Sequence, residues 1–169
     1  MQPGHSTRLA EIYRDYRLSL VAMATNIIGC RHRAEDAVHD AFARMVQTRT
    51  IQSTAEIVDL VAYCFRSVRN SALNVAQKHS SQQGALRLYY EVQQSANDAG
   101  VAAAFQEELI ALLEQLPLEQ RELIVLKVHA NLTFAQIGEI QNTPLKTVAT
   151  RYRRTIEELR SKLEKVYDA

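Results

Sequence analysis

Glycine, proline and cysteine are scarce in this chain of 169 residues, which contains five, three and two of them. With so few glycines and prolines there is little material for tight turns. Apolar residues instead recur at spacings of three and four along most of the chain, the pattern of amphipathic helices. The sequence therefore predicts an all-α protein.

Several further absences exclude classes of function. Cys30 and Cys64 lie far apart without a CxxC motif, and the five histidines lack metal-ligand spacing. We therefore predict buried free thiols and neither a metal nor another cofactor. No apolar run is long enough to span a bilayer and no signal segment begins the chain, so we expect a soluble, cytoplasmic protein. Without a nucleophile–base pair or a phosphate-binding loop, an enzyme is not expected.

The periodic stretches place the helices and the domain boundary. In the first half they predict helices over 7–28, 33–47 and 55–79, with a loop over 48–54. In the second half they predict helices over 101–116 and 118–129, then a helix pair beginning at 133 whose last helix reaches about 166. Between the halves, residues 80–100 are rich in Ser, Gln and Gly and are interpreted as a linker, with a short helix allowed around 85–92.

Residues 133–154 are typical of two short helices joined by a tight turn. Thr133 and Thr143 can each cap a helix with a hydroxyl, Asn142 tolerates left-handed backbone, and Pro144 suits a first helical turn. Between Gln141 and Arg154 there are four basic residues and no acidic one: Lys146, Arg151, Arg153 and Arg154. Such a helix suits the major groove of DNA, although a solvated basic surface has the same pattern.

Two faces in the first half also have a distinctive chemistry. The helix over 33–47 has an acidic face that is either solvated or a docking surface, with Glu35, Asp36, His39, Asp40 and Arg44. The third helix combines basic, amide and aromatic side chains: Tyr63, Arg66, Arg69, Asn70, Asn74, Gln77 and Lys78. These groups pair with phosphates, bond base edges and stack on bases in nucleic-acid complexes.

Several stretches, in the same order and at the same separations, resemble motifs of the bacterial RNA polymerase sigma factors. They are RAEDAVHDAF over 33–42, AYCFRSVRNSAL over 62–73, LPLEQRE over 116–122, LTFAQIG over 132–138 and PLKTVATR over 144–151. The chain is most similar in organisation to the small extracytoplasmic-function (group four) type, which retains only regions two and four. That resemblance covers nearly everything from Leu9 to Leu163.

The resemblance implies two small helical domains joined by a flexible linker, the second containing a helix-turn-helix. It divides the chain into a region-two-like domain over 1–79, a linker over 80–100 and a region-four-like domain over 101–169. The implied function is transcription initiation, in which the protein brings core RNA polymerase to −10 and −35 promoter elements and assists DNA melting. A sigma factor has no catalytic residue of its own, and its implied partners are the β′ clamp and β flap of core polymerase, promoter DNA and an anti-sigma factor.

The resemblance also implies roles for individual residues. The −35 duplex would be read by Lys146, Thr147, Thr150, Arg151, Arg153 and Arg154. The −10 strand would be captured by the 48–54 loop and by Arg66, Arg69, Asn70, Asn74, Gln77 and Lys78. Docking on polymerase would use Glu35, Asp36, Asp40 and Arg44.

The chain departs from the family pattern on the proposed −10 helix. Asn74 stands where the family usually has Asp, and Gln77-Lys78-His79-Ser80-Ser81 stands where it usually has several arginines. This depletion keeps open a sigma-like decoy that binds polymerase or an anti-sigma factor without opening promoters. A plain helix-turn-helix regulator is a third alternative, but it would give the acidic face no role. The polar linker and the apolar segment 86–90 allow either an extended or a closed arrangement of the domains.

Overall fold

The computed structural model describes residues 4–48, 59–79 and 100–168. Every regular element in these ranges is helical, so the all-α prediction is confirmed. The first half contributes α1 (His5–Ile28), α2 (Arg31–Gln47) and α3 (Leu60–Lys78). The second half contributes α4 (Gly100–Glu114), α5 (Leu118–Ile124), a π-helical turn (Val125–His129), α6 (Phe134–Gln141) and α7 (Leu145–Tyr167).

Helices α1, α2 and α3 pack around one another in the first half. Gly29 ends α1 in the left-handed conformation at φ 84°, which glycine adopts without steric cost. The predicted start of the third helix at 55 was wrong. Asp59 has extended backbone, at φ −137° and ψ 102°, and its carboxylate caps the helix by accepting from the Ala62 N–H. The predicted loop beyond Thr48 lies outside the described residues.

The helix-turn-helix forms with two corrections to the predicted capping. Thr133 caps α6 in a capping box with Gln136, and Asn142 takes the left-handed turn at φ 50°. Thr143, however, does not cap α7, because its hydroxyl donates to the Gln141 carbonyl at 3.1 Å. Pro144 precedes α7 as its N-cap residue, one position earlier than its predicted place in the first turn.

The predicted helix over 118–129 is an α-helix only as far as Ile124. Its last five residues form a π-helical turn, and Ala130 N–H bonds to the Val125 carbonyl at 3.1 Å. Asn131 then has a left-handed backbone at φ 54°. The widened turn directs His129 toward α1, where its Nδ1 lies 2.8 Å from Ser19 Oγ. π-helical turns are rare and often mark functional positions.

The two halves are packed together in a closed arrangement. Helix α3 packs against α6, and α1 packs against α5 and the π-helical turn. Nearly all of the buried apolar residues of both halves belong to one continuous cluster, which includes Phe65 of α3 and Ile137 of α6. The sequence allowed extended or closed forms, and the structure has the closed one. The apolar segment 86–90 and the short helix allowed around 85–92 lie outside the described residues.

Both cysteines are free, as predicted. Cys64 is fully buried, and burial raises the pKa of its thiol to about 12, with a smaller contribution from Asp59. Cys30 is only half-buried, so its predicted burial is incomplete. Among the described residues, no group of three or more His, Cys, Asp or Glu could hold a metal ion. None of the described helices is long and apolar enough to cross a membrane.

Candidate nucleic-acid interface

The basic face of α7 forms one continuous surface at the start of that helix. Its N-terminal turns present Lys146, Thr147 and Thr150 to solvent, with Val148 buried beneath them. A single surface depression is lined by Gln120 together with Lys146, Thr147, Thr150, Arg151 and Arg154. Arg153 is exposed but lies outside this depression. The structure therefore brings five of the six residues of the predicted duplex-reading set together and adds Gln120, which sequence reasoning missed.

Arg151 is the least exposed member of that set. Its Nη1 lies 3.3 Å from Glu119 Oε2, an ion pair between α7 and α5. The Arg151 side chain is 27% exposed, whereas that of Glu119 is 63% exposed. An ion pair with one such exposed partner contributes little to stability. Arg151 is therefore held in position on the surface while remaining available for exchange to another anion.

The predicted nucleic-acid face of α3 is largely as expected. Arg66, Asn70, Asn74 and Gln77 are exposed and follow one another at spacings of three and four, and Lys78 is exposed beside them. These side chains share a solvent-facing stripe that begins one turn after Tyr63, which is half-buried. A strand laid along α3 would meet amide groups, one guanidinium and one ammonium.

Arg69 does not belong to that exposed face, and this part of the prediction was wrong. Its side chain is only 17% exposed, because its Nε donates to Glu122 Oε1 of α5 at 2.7 Å. Glu122 in turn is 1% exposed and accepts from Gln141 Nε2 through its other oxygen at 3.1 Å. Arg69 thus joins the two halves instead of facing solvent.

Burial and charge act in opposite directions on Glu122. Burial raises the pKa of its carboxyl above the ordinary value, and the attraction of Arg69 and the hydrogen bond from Gln141 offset part of that effect. Sequence reasoning missed this residue. The sequence signal for a buried Glu122 was its place beside the apolar residues Leu123 and Ile124. A carboxylate buried among apolar residues requires a hydrogen-bonding or charged partner.

The acidic face of α2 is partly exposed, and some of its charged residues are paired within the first half. Asp36 and Asp40 are exposed, while Glu35 is half-buried and paired with Arg31 at 3.0 Å. Arg44 donates to the Asp40 backbone carbonyl at 3.3 Å and to Ser71 Oγ of α3 at 3.1 Å. Arg44 therefore bridges α2 and α3, and the two exposed aspartates carry most of the free negative charge.

Two comparisons with known protein families match this organisation. The model of sigma-70 region 2 matches residues 12–82, and the model of sigma-70 region 4 matches residues 106–159. The first match begins within α1 and covers α2 and α3, and the second runs from within α4 through α5 and α6 into α7.

A similar curated protein extends over nearly the whole chain. The ECF RNA polymerase sigma factor SigW of Bacillus subtilis (strain 168) is 26% identical over 176 residues, covering 96% of this chain and 92% of that protein. The order of an acidic helix, a polar helix and a helix-turn-helix agrees with both family matches. The chain therefore belongs to the sigma-70 family as an extracytoplasmic-function sigma factor, with a role in transcription initiation.

Proposed function

We propose that this protein brings core RNA polymerase to promoters that have a −10 and a −35 element and that it assists their melting. The observation that carries the proposal is the pair of separate nucleic-acid-like surfaces, a basic helix start on α7 and an amide-rich stripe on α3. The first suits duplex DNA in the major groove, and the second suits an unpaired strand. In this assignment, residues 1–79 act at the −10 element, 101–169 act at the −35 element, and 80–100 connect them.

The −35 reading is assigned to the depression on α7. Lys146, Thr147, Thr150 and Arg151 lie nearest the bases, and Arg153 and Arg154 lie nearer the phosphates. The side-chain chemistry supports this assignment. Hydroxyl and guanidinium groups can form hydrogen bonds with base edges, whereas basic groups farther along the helix pair with the phosphates of the DNA backbone. The bound state exchanges the ion pair from Arg151 to Glu119 for contacts with DNA.

The −10 reading is assigned to α3 and the 48–54 loop. Asn70, Asn74 and Gln77 provide donors and acceptors for flipped bases, while Arg66 and Lys78 provide charge. Flipping costs a few kcal/mol of unstacking, least where A·T-rich DNA melts, so few cations suffice when polymerase contributes the remaining affinity. The polymerase would supply the catalysis, and the β′ clamp would meet Glu35, Asp36, Asp40 and Arg44. The β flap and an anti-sigma factor complete the proposed partners.

A sigma-like decoy is the second candidate function, and one observation favours it. Of the three cationic residues assigned to the −10 face, Arg69 is engaged with Glu122, so only Arg66 and Lys78 are exposed. A decoy would bind polymerase or an anti-sigma factor without forming an open complex.

Transcription with purified core polymerase on a library of promoters tests the proposal. We expect defined start sites, and we expect Lys146→Ala with Arg151→Ala to reduce −35-dependent transcription about 30-fold or more while polymerase binding persists. The size follows from the loss of two contacts worth about 1–3 kcal/mol each. Arg160→Ala with Lys162→Ala removes the same charge farther along α7 and is the matched control.

Two results would count against the proposal. Polymerase binding without any open complex would favour the decoy. Unchanged promoter choice in the Lys146 and Arg151 variant would show that α7 is not the reading helix.

A further inference from the structure

Among the six residues that line the depression on α7, Gln120 is the one that belongs to another helix. It lies in the first turn of α5, where its backbone N–H donates to the Pro117 carbonyl at 3.0 Å. The neighbouring backbone carbonyl, that of Glu119, accepts from Gln141 Nε2 of α6 at 3.2 Å. The start of α5 is therefore fixed against the helix-turn-helix, and Gln120 has a defined position beside α7.

The side-chain amide of Gln120 brings a buried acceptor to this depression. Its Oε1 is buried and accepts no hydrogen bond from any residue that the structure describes. A buried amide oxygen without a donor is costly, because it has been removed from solvent without gaining a bond in exchange. Such atoms are uncommon in folded proteins, so a donor for this oxygen is expected in another state of the protein.

Arg151 brings a buried donor to the same depression. Its Nη1 is buried and forms no hydrogen bond with the described part of the chain. The 3.3 Å approach of Nη1 to Glu119 Oε2 brings opposite charges together without hydrogen-bond geometry. A buried donor on Arg151 and a buried acceptor on Gln120 therefore line one depression, each without its hydrogen bond.

A neutral acceptor suits an arginine that reads a base. A guanidinium recognises guanine through two parallel hydrogen bonds to O6 and N7, and this contact requires that the plane of the group be fixed. Three of its five N–H groups remain for the protein to hold. A carboxylate would hold them but would also repel the nearby DNA phosphates. An amide oxygen holds the guanidinium and leaves its positive charge for the DNA.

We propose that Gln120 is a positioning residue for −35 reading, which accepts a hydrogen bond from Arg151 when DNA displaces that guanidinium from Glu119. This inference deepens the proposed function and rests on it, because Arg151 is there assigned to the bases. It adds that Arg151 meets a guanine and that discrimination against other base pairs at this position depends on a residue of α5. The reading surface is therefore built from two helices and not from α7 alone.

The test compares variants of the full-length chain bound to core polymerase. Gln120→Met keeps the length of the side chain and removes its acceptor, whereas Gln120→Glu retains an acceptor oxygen and adds a negative charge. Gln115→Met makes the same apolar change at an exposed glutamine outside the depression and is the matched control. Each change is made in the wild-type and Arg151→Ala backgrounds. Circular dichroism and polymerase binding confirm that every variant folds and docks.

The probe is a fluorescein-labelled duplex promoter taken from the transcription library, with competitors that carry every single base-pair change in its −35 element. We expect Gln120→Met to weaken binding to the unchanged promoter about tenfold, the effect of losing a hydrogen bond to a charged group. At one base pair, the ratio of affinities for the preferred and changed promoters should fall about tenfold, and at the others it should stay the same. Arg151→Ala should relax the same base pair, and Gln120→Met should then add less than about twofold.

Gln120→Glu separates the positioning of Arg151 from charge. The retained acceptor should preserve the base preference within about twofold, while the added negative charge should weaken binding to every promoter about equally. A purely structural role of Gln120 makes a different prediction for Gln120→Met. It would lower the affinity for all promoters alike and leave the base preference unchanged, and that result would overturn the inference.

The inference and the proposed function fail with different results. If Arg151→Ala leaves the base preference unchanged at every position, the assignment of Arg151 to the bases is wrong, and the inference falls with it. If Arg151→Ala relaxes one base pair that Gln120→Met leaves unchanged, only the inference falls. If Gln120→Met has the same effect in both backgrounds, Gln120 acts on DNA without Arg151, and its positioning role is excluded.

Discussion

At the scale of single residues, Gly138 shows how tightly the helix-turn-helix is packed. A Cβ atom at this position would lie 2.6 Å from the backbone carbonyl oxygen of Thr143 and 3.7 Å from the Leu145 nitrogen. The clash is with backbone, which cannot rotate away as a flexible side chain could. The turn between α6 and α7 therefore closes onto α6 only because residue 138 has no side chain.

Gly138→Ala is accordingly expected to destabilise the protein by about 1–3 kcal/mol, the usual cost of overpacking. In an open helix the same change would stabilise by up to about 1 kcal/mol, so the two expectations differ in sign. Urea unfolding measures the difference. Gly4→Ala is the matched control, because nothing lies within 4 Å of the added atom. A Gly138→Ala variant as stable as the wild type would contradict the packing described for this turn.

The residue scale also shows what a sequence reveals about capping. Thr133 and Thr143 each precede a helical stretch at a suitable distance, so both were predicted caps. Only Thr133 has Gln136 three residues later, which completes a capping box. Thr143 lies within the turn, where its hydroxyl donates to the Gln141 carbonyl, and the start of α7 has no side-chain cap. Local sequence distinguishes these two only when the reciprocal partner is considered.

At the scale of elements, some charged residues of α2 make contacts within the protein and others are exposed to solvent. Arg44 bridges to Ser71, whereas Asp36 and Asp40 are exposed on the outer side of the helix. His32 approaches Asp36 only to 3.8 Å, so that carboxylate remains accessible. The exposed aspartates are therefore suited to a basic surface on another protein.

Reversing these two charges should weaken polymerase binding. We expect Asp36→Arg with Asp40→Arg to lower the affinity for core polymerase at least about tenfold, since like charges face one another across the interface. Binding is measured without DNA by biolayer interferometry. Glu139→Arg with Glu157→Arg makes the same change in net charge on exposed positions of the second half. Equal affinity of both variants would exclude α2 as the docking helix.

The helices themselves follow from the sequence more closely than their ends do. Periodic apolar residues located every described helix, because burial of one stripe is favourable whatever the stripe packs against. The positions of the helix ends depended on capping and tertiary contacts, which the spacing of apolar residues does not reveal. Asp59 moved the start of α3 by capping it, and the last turn of the 118–129 helix widened into a π-helical turn that directs His129 toward α1.

At the scale of the whole molecule, the interface between the halves should depend on pH through His129. Burial lowers the pKa of this imidazole below the ordinary value of 6.5. Because the folded form prefers the neutral ring, its contribution to stability is present above about pH 6.5. That contribution is lost as the pH falls through the lowered value.

We therefore expect the difference in melting temperature between the wild type and His129→Gln to shrink as the pH is lowered below about 6.5. Thermal unfolding across a pH series measures that difference. His32→Gln removes an imidazole from a side chain that is 85% exposed and is the matched control. A difference that stays constant across the series would show that His129 is not coupled to the fold.

The sequence by itself determined the helical class, the order of the helices, the helix-turn-helix and the family, because all of these depend on spacing and on local chemistry along the chain. It also located most of the residues on the two proposed nucleic-acid faces, since exposed polar groups at helical spacing are visible in one dimension. Only the tertiary structure decided that the halves pack together and that Arg69 faces Glu122. Those contacts join residues 53 positions apart in the chain. No local pattern specifies which of two arginines, Arg66 or Arg69, meets a buried carboxylate when two separate helical bundles come together.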